Sequence, residues 1–150
     1  MSIDKDIRQR KFRNEYQKGI VNLIFTYNWM TERLKAILSK SDLTMQQFNI
    51  LRILRGSTEP LSTLEIRERM LDRMSDTSRI VDRLVLKGLA KKVVCKEDKR
   101  LVDITISDKG RKVLEENDKH SKEMEALLGT LSETEARNLN RLLDKIRNSN

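Results

Sequence analysis

Apolar positions recur at steps of three and four along most of this chain, and the pattern breaks where polar capping residues gather. From about Phe12 to Ser39, Tyr16, Ile20, Leu23, Tyr27, Met30, Leu34 and Ile37 keep that spacing without a proline, and Ile24, Trp29 and Leu38 widen the stripe. The spacing predicts one long helix, and a stripe of that length must pack against more than one neighbour. Ahead of it, residues 1 to 13 set Lys5, Arg8, Arg10, Lys11 and Arg13 against Asp4 and Asp6 with little apolar content before Phe12. This reads as a frayed arm whose charge is either a solvated face or a phosphate contact.

Three capping boxes punctuate the chain beyond Ser39. Thr44 with Gln47 opens a helix through FNILRILR that stops at Gly56, and Ser62 with Glu65 opens a short one ending near Met70, with Leu61 and Ile66 placed as a hydrophobic staple. Ser132 with Glu135 opens the last, on which Leu139, Leu142, Leu143 and Ile146 fall at i, i+3, i+4 and i+7. Between the second and third boxes, Thr77, Ile80, Val81 and Leu84 form one helical face, while Ser75, Ser78, Arg79, Asp82 and Arg83 occupy the others. Either Asp72 or Ser75 can cap this helix, and Gly88 ends it. The period then changes to two: LAKKVVCK and LVDITI are β-branched runs, with Val102, Ile104 and Ile106 alternating against Asp103 and Thr105, joined by a charged tip Glu97-Asp98-Lys99-Arg100. Ser107 starts a further helix, DKGRKVLEENDKHSKEMEALLG, with Val113, Leu114, Asn117, His120, Ser121, Met124, Leu127 and Leu128 on one face and polar residues interrupting its middle. The prediction is a mainly α chain with a small β-hairpin, in which two short helices and a tight turn precede the hairpin as in a helix-turn-helix.

Composition sharpens this picture. The chain has 150 residues, 37% hydrophobic and 36% charged, which is polar for a lone globule and ordinary for an elongated helical protein that shares its core with a partner. From Arg73 to Arg100 there are nine Lys or Arg against four Asp or Glu, so this segment holds +5 of the formal +8. A basic helix leading into a basic hairpin points to nucleic acid. The alternative for these charges is a solvated helix face in which Asp76 and Asp82 pair with the arginines.

The chemistry that residue types allow is narrow. One cysteine and one histidine exclude an internal disulfide and argue against a structural metal, which takes four ligands drawn mostly from those types. Cys95 reads as a small strand residue rather than a redox sensor, and His120 as an interfacial polar residue rather than a ligand or base. The glycines are isolated, so no phosphate loop is present, and adjacent carboxylates such as Glu115 and Glu116 point apart on a helix. No catalytic constellation emerges; neither an enzyme nor a cofactor is expected. No apolar run approaches the roughly 20 residues that span a membrane, and MSIDKDIRQRKFRNEY has no signal-peptide core, so a cytoplasmic protein is expected.

The run RIVDRLVLKGLAKKV, the tip EDKR and the following LVDITISDKG together resemble the winged helix-turn-helix of MarR-type bacterial transcription regulators, and the order of the flanking elements extends the resemblance to nearly the whole chain. The resemblance implies one domain over 1–150, with a DNA-binding lobe over 40–108 and dimerisation helices over 1–39 and 109–150. It implies a recognition helix in the major groove and a wing whose Asp-x-Arg motif, here Asp98-Lys99-Arg100, places the arginine at the minor groove, with Asp98 either closing its own turn or orienting Arg100. Expected DNA contacts are Arg73, Ser75, Ser78, Arg79, Arg83, Asp98, Lys99 and Arg100, with Lys96 and Lys99 on phosphates. Arg79 suits two bonds to a guanine. Expected dimerisation residues are Phe12, Tyr16, Leu139, Leu142, Leu143 and Ile146. Double-stranded DNA and a second copy of the chain are the implied partners, and a repressor at a palindromic operator the implied role. A small-molecule effector is a further partner that the family allows, for which Tyr27, Trp29, Met30 and His120 are either lining or plain core. The competing readings are a winged-helix module for protein–protein assembly and a non-specific nucleic-acid binder.

Overall fold

The computed structural model describes residues 2–9, 11–94 and 102–148. The chain divides into two compact units, residues 1–37 and residues 38–150.

In the first unit a short helix α1 (Ile3–Asp6) precedes the long helix α2 (Glu15–Ser39), whose last two residues belong to the second unit. The N-terminal arm, expected to be partly frayed, is held at its start, where Ile3 is buried and Asp4 accepts from Lys18 Nζ at 3.2 Å. Ile3 and Ile7, four apart in a charged segment, are too few to establish a period, which is why α1 is not evident in the pattern. The long helix starts at Glu15 rather than Phe12, with Asn14 Oδ1 accepting from the Gln17 N–H at 2.9 Å. The ammonium of Lys18 lies 5.7 Å from the centre of the Phe12 ring.

The second unit is built around one core. Helix α3 (Met45–Gly56) is followed by strand β1 (Leu61–Ser62), α4 (Thr63–Arg69), α5 (Thr77–Leu86), β2 (Ala90–Val94), β3 (Val102–Ile106) and α6 (Asp108–Asp118). Beyond these lie α7 (Ser121–Glu125), a 3₁₀ turn (Ala126–Leu128) and α8 (Glu133–Arg147). All three capping boxes form, each with its Ser or Thr oxygen accepting from the backbone N–H three residues on and the Gln or Glu reaching back. Ile50, Leu51, Leu54, Leu61, Ile66, Met70, Val81, Leu84, Ile104, Ile106 and Leu114 share the core, so the staple pair Leu61 and Ile66 is buried as the pattern required.

The antiparallel sheet has three strands in the order β1-β3-β2, one more than the hairpin read from the sequence. Two residues are too few to show a period, yet Leu61 sits opposite Ile104 and Ser62 opposite Asp103. In the hairpin Lys92 faces Ile104 and Val94 faces Val102. Two glycines place the sheet between its helices. Gly88, at φ +71°, closes α5 with the Leu89 N–H donating to the Leu84 carbonyl and the Gly88 N–H to that of Val85, both at 2.9 Å. A Cβ on Gly110 would lie 2.2 Å from the Leu89 carbonyl oxygen, so only glycine lets the first turn of α6 approach the start of β2 this closely.

The helix expected from Ser107 to Gly129 is broken. α6 ends at Asp118, where the His120 N–H turns back to the Asn117 carbonyl at 2.9 Å in a 3₁₀ step. The buried Asn117 amide donates to the Val113 carbonyl at 2.8 Å, competing with the helix for that acceptor. No helix among the described residues is long and apolar enough to cross a membrane.

Candidate nucleic-acid interface

The candidate site is α4, the turn after it, and α5. Neither Asp72 nor Ser75 caps α5: the cap is Asp76, whose Oδ1 accepts from the Arg79 N–H at 3.2 Å. The other two are spent on the turn, Asp72 Oδ1 accepting from the Met74 N–H at 3.1 Å and Ser75 Oγ donating to the Asp72 carbonyl at 2.8 Å. Closing the turn on itself starts the helix later than the sequence pattern suggests, and brings Ser78 and Arg79 into its exposed first turn.

The helix is held by its apolar face. Thr77, Val81 and Leu84 are buried, while Ser78, Arg79, Asp82 and Arg83 are exposed. Arg79 and Arg83, four apart, line one groove with Thr44, Gln46 and Asp72. The acidic residues that were expected to neutralise these arginines do not. Asp76 is turned to the helix backbone, and Asp82 takes Lys92 of β2 at 2.8 Å, tying the helix to the hairpin. Among the described residues, none pairs with Arg73, Arg79 or Arg83. The face with internal ion pairs is therefore not what these side chains adopt: Arg73 before α5, Arg79 in its first turn and Arg83 in its last form no ion pair with a described carboxylate, although Asp72 and Asp76 line the same groove as Arg79 and Arg83.

Of the other expected contacts, Ser75 is half-buried with its hydroxyl engaged, and Ser78 is exposed beside α4. Asp98, Lys99 and Arg100, with Lys96 and Cys95, lie outside the described residues. Two residues the pattern did not single out join the site. Thr63 and Arg67 of α4, four apart on one side of the helix, line a cleft with Ser75, Asp76 and Ser78; they border the buried Ile66 and Met70 face, so spacing alone did not single them out.

Of the expected dimerisation residues, Tyr16, Leu142 and Ile146 are exposed and Phe12, Leu139 and Leu143 half-buried; α8 buries no residue at all. Tyr27, Trp29 and Met30 belong to the first unit, where the Arg33 guanidinium stacks 4.0 Å from the Trp29 ring; Tyr27 is exposed. His120, in the second unit, sits at the break after α6, its Nδ1 3.2 Å from the Glu123 carboxylate. Lys40 Nζ reaches the same carboxylate at 3.1 Å, and that hydrogen bond, ahead of the imidazole, holds Glu123 below the usual carboxylate range. No group of three or more His, Cys, Asp or Glu side chains among the described residues is placed to hold a metal.

The sequence profile of the MarR family matches residues 41–101, which take in α3 to β2 and continue to Leu101. A MarR transcription factor from Planctomyces limnophilus is similar to this chain at 32% identity and a TM-score of 0.67, over 89% of this chain and 98% of that one. The chain belongs to the MarR family. Two further MarR-type folds are similar at higher TM-score and lower identity. A mutant E. coli MarR complexed with operator DNA reaches 0.80 at 23% identity, covering 91% of this chain and 98% of that one. Bordetella bronchiseptica BpsR, whose DNA binding is regulated by 6-hydroxynicotinic acid, reaches 0.80 at 21% identity, covering 93% and 99%. No curated protein matches the sequence.

Proposed function

We propose that this MarR-family regulator is a homodimeric, sequence-specific DNA-binding protein that represses transcription from a palindromic operator in the cytoplasm. The observation that carries this reading is the arginine set at α5: Arg73, Arg79 and Arg83 have no acidic partner among the described residues, while Ser78 and Arg79 of the helix's first turn face solvent. Phosphate neutralisation by such groups supplies affinity, and side chains at the N-terminal end of a recognition helix supply base contacts. The E. coli MarR complexed with operator DNA shares the fold, which supports a DNA-binding role for this chain.

Dimerisation is supported by apolar area left over. On α2, Tyr16, Ile20, Leu23, Ile24 and Tyr27 are exposed, and on α8 Leu142 and Ile146. A second copy covers these residues, so that residues 1–39 and 109–150 act as dimerisation helices around the lobe at 40–108. In the wing, Arg100 enters the minor groove, oriented by Asp98, and Lys99 takes a phosphate. A small-molecule effector is a further partner this reading allows, as 6-hydroxynicotinic acid regulates the DNA binding of BpsR, a protein of the same fold.

A gel shift with an operator enriched from random duplexes, set against scrambled DNA of equal length, tests the reading at two salt concentrations. Affinity for both duplexes falls steeply with salt and the operator is preferred. Equal binding to both duplexes contradicts sequence reading, and salt-independent binding contradicts the phosphate contacts.

A further inference from the structure

The turn between α4 and α5 is pinned from several sides. The Leu71 N–H donates to Asn49 Oδ1 of α3 at 2.9 Å, the Met74 N–H to Asp72 Oδ1 at 3.1 Å, and Ser75 Oγ to the Asp72 carbonyl at 2.8 Å. Met70, at the end of α4, is buried, and its sulfur accepts from the Thr77 hydroxyl at 3.4 Å and lies 3.6 Å from Ser75 Oγ. The backbone from 70 to 77 is thus anchored to α3 and to the core. Yet beyond Met70 its two other large apolar side chains touch little: Leu71 is 89% and Met74 93% exposed.

A turn tip ordinarily carries Gly, Asn, Asp or Ser, and an exposed apolar side chain forgoes the gain of burial. Met74 stands two residues before the cap of α5, directly after Arg73, and the start of the helix carries Arg79, which has no acidic partner among the described residues. The exposed Asp72 and Asp76 flank the same turn, but each accepts from a backbone N–H, of Met74 and of Arg79, and neither pairs with an arginine; unpaired guanidinium groups favour a polyanion. In the major groove of DNA the apolar feature presented by the base pairs is the C5-methyl of thymine. Methionine, unbranched and polarizable, adapts to such a small apolar target.

Resting on the DNA-reading role of α5, we propose that Met74 is a specificity residue that packs against a thymine methyl in each half-site, adding an apolar reading to the polar one of Ser78 and Arg79. The preorganised turn fixes where the thioether arrives, so the reading is confined to one position per half-site.

The test uses the full chain and an operator enriched from random duplexes, with each thymine replaced in turn by deoxyuridine. Uracil keeps every hydrogen-bonding atom of thymine and lacks only the methyl. At one position per half-site the replacement weakens wild-type binding roughly fourfold, the worth of one buried methyl-sized group. Met74→Ala binds the thymine and uracil forms alike, whereas Met74→Leu, still apolar, retains the preference. Because Met74 contacts so little, both variants keep the wild-type thermal melt. The proposal is overturned if no position is methyl-dependent, if Met74→Ala keeps the full thymine preference, or if Leu71→Ala removes it instead. An operator that enriches without methyl dependence overturns Met74 alone; failure to enrich any preferred sequence overturns the DNA reading and this proposal with it.

Discussion

The lobe from α3 to α6 and the helices that flank it use apolar residues in opposite ways. In the lobe the stripes of α3, α4, α5 and α6 converge, and Ile50, Leu51, Ile66, Leu84 and Leu114 are wholly buried. On α2 and α8 much of a stripe of the same period stays in solvent, with Tyr16 85% and Ile146 60% exposed, although Ile37 and Leu38 at the end of α2 are buried. A helical period says that a face will be covered, and says nothing about whether the cover is the same chain or another. In this chain the difference separates a lobe with a closed core from helices whose apolar faces are left exposed, the faces assigned above to a proposed second copy.

The largest effect that would break this comparison is loss of the last helix. Truncation after Leu131 removes Leu139, Leu142, Leu143 and Ile146, and the expected product is an aggregated or unfolded chain by light scattering and circular dichroism. A well-folded monomer would show that α8 is dispensable and the dimer account wrong.

A pair of single substitutions sharpens it at smaller scale. Leu51→Ala in the lobe should cost about 2 to 5 kcal/mol in denaturant unfolding, the range for deleting a buried leucine side chain. Ile20→Ala on the exposed stripe should change the stability of the separate subunit by no more than about 0.5 kcal/mol, yet make the dimer dissociate at a higher protein concentration. Equal effects of the two on both measurements would erase the distinction between the regions.

The smallest effect concerns charge within the lobe. Arg55 Nη1 donates to Asp118 Oδ2 at 2.7 Å, and this hydrogen bond holds the Asp118 carboxyl below its ordinary range while raising the Arg55 guanidinium. A carboxyl whose pKa is lower folded than unfolded contributes stability above its ordinary value, and that contribution is lost as pH falls through the lowered one. Melting temperature should therefore drop with acidification below about pH 4, and Asp118→Asn should flatten part of that drop. Both groups are partly exposed, so the change is a small fraction of the whole acid transition.

How much of the molecule was legible beforehand depended on the kind of signal. The three capping boxes are sequence-local, since each needs only a hydroxyl and a Glu or Gln three residues apart, and all three formed where read. The cap of α5 was not legible, because Asp72, Ser75 and Asp76 are all competent and the choice is made by the turn, which consumes the first two. β1 was missed because two residues carry no period, and the break after Asp118 because the helical spacing Asn117, Ser121, Met124 runs straight through it. At the site, the exposure of Ser78, Arg79 and Arg83 followed from the helical pattern. That Asp82 would leave the arginines for Lys92 did not, since a strand contact is invisible to spacing along a helix.

Sequence recognition in this account depends on Arg79, in the first turn of α5, reading a base. Wild type and Arg79→Ala are to be measured against operators carrying single base-pair substitutions, at two salt concentrations. Base reading predicts a loss of roughly 1 to 3 kcal/mol confined to one position per half-site, with the salt slope unchanged. A loss shared by all sequences with the slope reduced by about one unit, or no loss at all, would contradict it.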